Sequence, residues 1–124
     1  MSTLLASLAA AITTVWGIAH LIPTGQVVAG FGTLSKDNRL VITQEWIAEG
    51  ITLTFLGGLI GLVTAVDRVS NPVVTAVYGL AAGMLLVMAV LTAMTGARGS
   101  VIFFKICPIV KTVAALLLLA SIIL

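Results

Sequence analysis

The sequence predicts an all-α integral membrane protein, a four-helix bundle with antiparallel neighbours, and three observations predict it. Hydrophobic residues make up 60% of the 124-residue chain and charged residues only 8%, with a mean hydropathy of +1.27. Six Lys and Arg and four Asp and Glu cannot cover the surface of a water-soluble fold, so lipid must form the rest of the exterior. Four apolar stretches approach the roughly 20 residues that a helix needs to cross the hydrocarbon core, and breaker clusters separate them.

The first span runs over about 4–22 and stops at Pro23-Thr24-Gly25. The second covers 45–66, ending at Asp67-Arg68 before the turn residues Ser70-Asn71-Pro72. The third covers 73–95 and ends in Gly96-Ala97-Arg98-Gly99-Ser100. The fourth covers 102–124 and contains Lys105, Cys107, Pro108 and Lys111. Because proline favours the first turn of a helix, a start at Pro108 is expected. Residues 101–107 would then form an interfacial or re-entrant approach, and both lysines could snorkel to the surface. A start at Ile102 would instead bring Lys111 near the bilayer middle.

The whole chain, 1–124, reads as one transmembrane domain. Its only long connection, 23–43, mixes Val27, Val28, Phe31 and Leu34 with Lys36, Asp37 and Arg39, as an interfacial segment between the first two spans would. A cleaved secretory signal fits poorly, since no Lys or Arg precedes the first apolar stretch. The basic residues form no run, which argues against nucleic acid, and a single cysteine excludes an internal disulfide. Lys36, Arg39, Arg98 and Lys105 fall on one side of the membrane and Arg68 on the other. The positive-inside rule then puts both termini outside the cytoplasm.

Small residues mark close helix contacts in lipid. Gly50, Thr54, Gly57, Gly58, Gly61 and Ala65 fall on one face of the second span, and Thr75, Gly79, Ala82, Gly83 and Ala93 on one face of the third. These two faces are expected to pack together.

Glu45, Glu49 and Thr52 share the opposite face of the second span. Glu45 suits the positive end of a helix dipole. Glu49 lies a turn deeper, where an unpaired carboxylate is costly, so it should be protonated, paired or facing a wet cavity. His20, the only histidine, lies near the same surface with Trp16 one turn above it. An interfacial His beside an interfacial Trp needs no function. A site for chemistry would instead use Glu49 as general acid or base with His20 and Glu45. Trp16, Trp46, Thr52, Lys105 and Lys111 would contact the ligand, with Lys105 the expected partner of Glu49. No metal is assigned: one His with two carboxylates could bind one, but that grouping spans two helices. Cys107 reads as a small buried hydrophobe.

Gly17-Ile18-Ala19-His20-Leu21-Ile22-Pro23, an amphipathic connection, and a span whose early acid precedes Phe55-Leu56-Gly57-Gly58-Leu59 together resemble the DoxX-like group of small four-helix membrane proteins. The resemblance covers the first half of the chain. It implies a four-helix membrane protein that could be an accessory subunit of a membrane redox system.

Three functions follow from these residues. The first is binding or conversion of a lipid-soluble small molecule, such as a quinone, sterol-like or terpenoid compound, at a Glu/His site near the cytoplasmic leaflet. The second is an accessory or scaffold subunit docking a membrane partner through its glycine faces. The third is a small proton-coupled transporter, working as a homo-oligomer. The polar residues gather at one depth rather than lining a route across, which favours the first. No cofactor is specified by the sequence.

Overall fold

In the computed structural model, residues 2–66 and 71–124 are described, and they are helical almost throughout. The helices are α1 (Ser2–Leu21), α2 (Thr24–Ala29), α3 (Lys36–Val66), α4 (Pro72–Met94) and α5 (Ile102–Ile123), with a short 3₁₀ turn at Gly96–Arg98 between the last two. Four of them, α1, α3, α5 and the stretch Pro72–Arg98, are long and apolar enough to cross a membrane, so the chain is a multi-pass membrane protein. The expected turn at Asp67-Arg68 and Ser70 lies outside the described residues.

Local chemistry explains the boundaries. Pro72 occupies the first turn of α4, and the Asn71 side chain accepts a hydrogen bond from the Val73 amide at 2.8 Å. At 31 residues, α3 is about 46 Å long at 1.5 Å per residue. That exceeds the roughly 30 Å hydrocarbon core. Its first turns, with exposed Lys36, Asp37 and Arg39, therefore project beyond the core. The helix begins nine residues before the expected start at Glu45, and the interfacial segment reduces to the six-residue α2 and a turn. Gly32 in that turn has φ +76°, a left-handed conformation that glycine adopts without strain.

The fourth span corrects another expectation. It starts at Ile102, and Pro108 lies inside it, so 101–107 is not a re-entrant approach. Pro108 costs one backbone bond, to the Phe104 carbonyl, which a tightly packed membrane helix tolerates. Lys111 consequently lies midway along α5 and is buried rather than snorkelling.

The packing order is α3, α1, α5, α4: α1 contacts both α3 and α5, while α4 rests mainly on α5. A third correction lies here, because the glycine faces of the second and third spans do not meet. A Cβ on Gly57 would run into Thr14 and the Ala10 carbonyl of α1, and a Cβ on Gly50 would meet Leu21, His20 and Gly17 of α1. Gly58, Gly79 and Gly83 face open space. The reason is α1 itself, whose buried Ala6, Ala9, Ala10, Thr13 and Gly17 give it the narrowest waist and hence the central position. The core that results joins Ala6, Ala9 and Ala10 to Leu53, Ile60, Tyr78, Leu85, Ala115 and Leu118.

Helices α3 and α4, adjacent in sequence, touch little. Near their connection Thr64 and Tyr78 hydroxyls lie 2.6 Å apart. Thr64 already donates to the Ile60 carbonyl, so Tyr78 is the donor between the helices. Toward the other end the two helices border a cleft.

Candidate functional site: a polar cluster on the floor of an apolar cleft

Antiparallel packing brings the end of α1, the early part of α3, the end of α4 and the start of α5 to the same side. On that side lies a cavity of about 420 Å³. Val41, Ile42 and Trp46 of α3, Met84, Met88 and Leu91 of α4, and Phe104 of α5 form apolar walls. Glu49, Thr92 and Lys111 supply its polar floor, and Glu45 and Thr52 also border it.

Glu49 is the centre of the cluster. Its Oε1 pairs with the ammonium of Lys111, lies 3.9 Å from His20 Nε2, and accepts from the Cys107 thiol at 3.5 Å. Lys111 Nζ also donates to Thr92 Oγ1 at 2.9 Å. The Lys111 side chain is 1% exposed and that of Glu49 18%, so the pair is largely removed from solvent. Helical geometry explains how a lysine midway along α5 reaches this level. Side chains lean toward the helix N-terminus, which carries the ammonium back over the preceding turn, where Cys107 sits four residues earlier.

His20 is held on every side. Its ring stacks on Trp46, with centroids 4.4 Å apart, and meets the edge of Trp16 at 5.5 Å. Nδ1 is 3.1 Å from the Trp16 carbonyl, which can only accept, so Nδ1 carries a proton. In the neutral ring Nε2 then presents its lone pair to the Cys107 thiol at 3.5 Å, while Glu49 Oε1 stands 3.9 Å away. Trp46 Nε1 donates to the His20 carbonyl at 2.6 Å, satisfying one of the orphan acceptors at the end of α1. Trp16 Nε1 donates to Cys107 Sγ at 3.3 Å.

Of the residues singled out in the sequence, the structure gathers Glu49, His20, Trp16, Trp46 and Lys111 into one cluster. Glu45 and Thr52 lie along the cleft but outside that cluster, and Glu45 is exposed. Lys105 is exposed and makes no ion pair with Glu49; Lys111 takes that role. The substitution follows from the helix start at Ile102, which sends Lys105 to the surface and Lys111 inward. The part Cys107 takes in the cluster escaped the sequence reading, in which it is only a small buried hydrophobe, and Thr92 and Phe104 were not singled out. The four-residue spacing of Cys107 and Lys111 puts them on one helix face and could have signalled the first, but nothing local distinguishes Thr92 from the other threonines.

Comparison with protein-family models, with curated proteins and with solved structures gives no match.

Proposed function

We propose that this protein binds a lipid-soluble small molecule in the cleft between α3 and α4, with the Glu49–Lys111 pair addressing the polar end of that molecule. The observation that carries the reading is an apolar cavity of about 420 Å³ with a half-buried carboxylate paired to a buried ammonium as its polar floor. That volume falls within the roughly 300–1,000 Å³ usual for small-molecule sites. Few convergent polar groups on an otherwise apolar lining favour a ligand that is mostly hydrocarbon or ring with one oxygenated head. A quinone, sterol-like or terpenoid molecule has this form. A carbonyl or hydroxyl head could accept from Lys111, and a hydroxyl could also donate to Glu49, while Trp46 and Phe104 offer aromatic faces to a ring. Helices α3 and α4 contact each other little, so a molecule dissolved in the bilayer could enter sideways between them.

Lys36, Arg39, Arg98 and Lys105 are all exposed at the end of the bundle that holds the cleft. The positive-inside rule places that end in the cytoplasmic leaflet and the chain termini on the opposite side. Kinship with the DoxX-like group belongs to the same proposal and rests on the four-helix arrangement alone.

Mass spectrometry of the detergent-extracted protein tests the reading. A co-purifying amphiphile is expected from the wild type and should be depleted in Lys111→Met. Trp46 lines the cleft, so adding the identified molecule back should change tryptophan fluorescence. Equal recovery of the same lipids from wild type and from a variant with the cleft filled by Ala48→Trp would refute it.

A further inference from the structure

Three potential ligand atoms meet beside the cleft: His20 Nε2, Glu49 Oε1 and Cys107 Sγ all lie within 4.8 Å of one another. The separations are 3.5 Å from Sγ to Nε2, 3.5 Å from Sγ to Oε1 and 3.9 Å from Nε2 to Oε1. Zinc binds such atoms at about 2.0–2.3 Å, and at those bond lengths the ligands of a tetrahedron stand about 3.3–3.6 Å apart. The triangle is thus close to the right size for one face of a tetrahedral site.

The surroundings of each atom fit the same purpose. A ligating histidine usually donates its other ring N–H to a carbonyl or carboxylate, and Nδ1 of His20 does so to the Trp16 carbonyl. A metal-bound thiolate is commonly steadied by an N–H donor, and Trp16 Nε1 lies 3.3 Å from Sγ. Two stacked or edge-on tryptophan rings fix the imidazole plane. Within the triangle the thiol proton can serve only one of two acceptors, Nε2 or Oε1, at a time.

We propose that His20, Glu49 and Cys107 form a binding site for a zinc-like divalent transition-metal ion, with the fourth coordination position open toward the cleft. Nitrogen, oxygen and sulfur in one set suit Zn²⁺, and three protein ligands with an open position are the pattern of zinc sites that act on a small molecule. On binding, the Cys107 thiol proton is released to solvent and a sulfur–metal bond forms. The charges of carboxylate and thiolate then balance the divalent ion. Lys111 is the resident cation of the cluster: the metal takes over Glu49 Oε1, and the ammonium keeps Thr92 Oγ1. This site stands on its own geometry and does not depend on what occupies the cleft.

The test uses the purified full chain in detergent, with Co²⁺ as the spectroscopic probe and Zn²⁺ as competitor. One Co²⁺ per chain is expected, with intense visible bands of tetrahedral coordination and a near-ultraviolet sulfur-to-cobalt charge-transfer band, both removed by Zn²⁺. Cys107→Ser should abolish the charge-transfer band, and His20→Gln should weaken binding by at least about tenfold. Lys111→Met separates ligation from a structural role. Removing a competing cation should tighten metal binding, although the same change disturbs the apo bundle. Absence of the charge-transfer band in the wild type, its persistence in Cys107→Ser, or weaker binding in Lys111→Met would overturn the proposal.

Discussion

Replacing Gly57 with alanine tests the packing of α1 on α3, and Gly58 beside it supplies the control. A Cβ on Gly57 would lie 2.5 Å from the Thr14 backbone nitrogen and 2.9 Å from the Ala10 carbonyl oxygen, and closer still to the Thr14 hydroxyl. Ordinary contact begins at about 3.5 Å, so the helices must part locally by about 1 Å. The obstacle is backbone rather than the end of a flexible side chain, so rotamer changes cannot relieve it. Overpacking of this kind costs about 1–3 kcal/mol. Alanine's higher helix propensity returns about 1 kcal/mol. The net expectation is a loss of up to about 2 kcal/mol. At Gly58 nothing lies within 4 Å of the added methyl, so only the propensity gain remains. Gly58→Ala should therefore be neutral or stabilising by up to about 1 kcal/mol. Unfolding in mixed micelles, followed by circular dichroism, measures both. Equal shifts for the two adjacent alanines would refute the inference that α1 and α3 meet backbone to backbone at Gly57.

Three other perturbations probe separate parts of the structure. Lys111→Met strands the Glu49 carboxylate and should destabilise the apo protein by about 3–5 kcal/mol, whereas Glu49→Met combined with Lys111→Met should recover most of that loss in the same assay. Tyr78→Phe removes the hydroxyl that α4 offers to Thr64 and should cost about 0.5–1.5 kcal/mol while leaving any cleft ligand bound, measured by unfolding and by tryptophan fluorescence together. Reporter fusions after Leu124 should read extracytoplasmic, and fusions near Lys36 and Gly99 cytoplasmic; a cytoplasmic C-terminus would reverse the orientation.

Composition and breaker residues were enough to read four membrane-crossing helices, because bilayer thickness sets a length that any apolar run must meet. That Glu49 needs a partner was also legible, since an unpaired carboxylate within an apolar membrane segment is costly wherever it occurs. Which partner it has was not legible. Lys105 and Lys111 are six residues apart on the same span, and Lys105 is the expected partner wherever α5 starts, whereas the helix start at Ile102 decides only whether Lys111 is buried or snorkels. Propensity favours a start at the proline, but packing against α1 and α4 carries the helix through it. The glycine pattern had the same limit. Small residues reveal that a helix face is close to something, yet α3 and α4 both carry such faces and neither pairs with the other. The central place of α1 is a property of all four helices competing for close contact, so it exists only in the assembled bundle. The cleft between α3 and α4, and the meeting of Cys107 with His20 across 87 positions of chain, are consequences of that order. Hydropathy along one dimension determines what enters the membrane; which side chains face one another inside it is decided by packing in three.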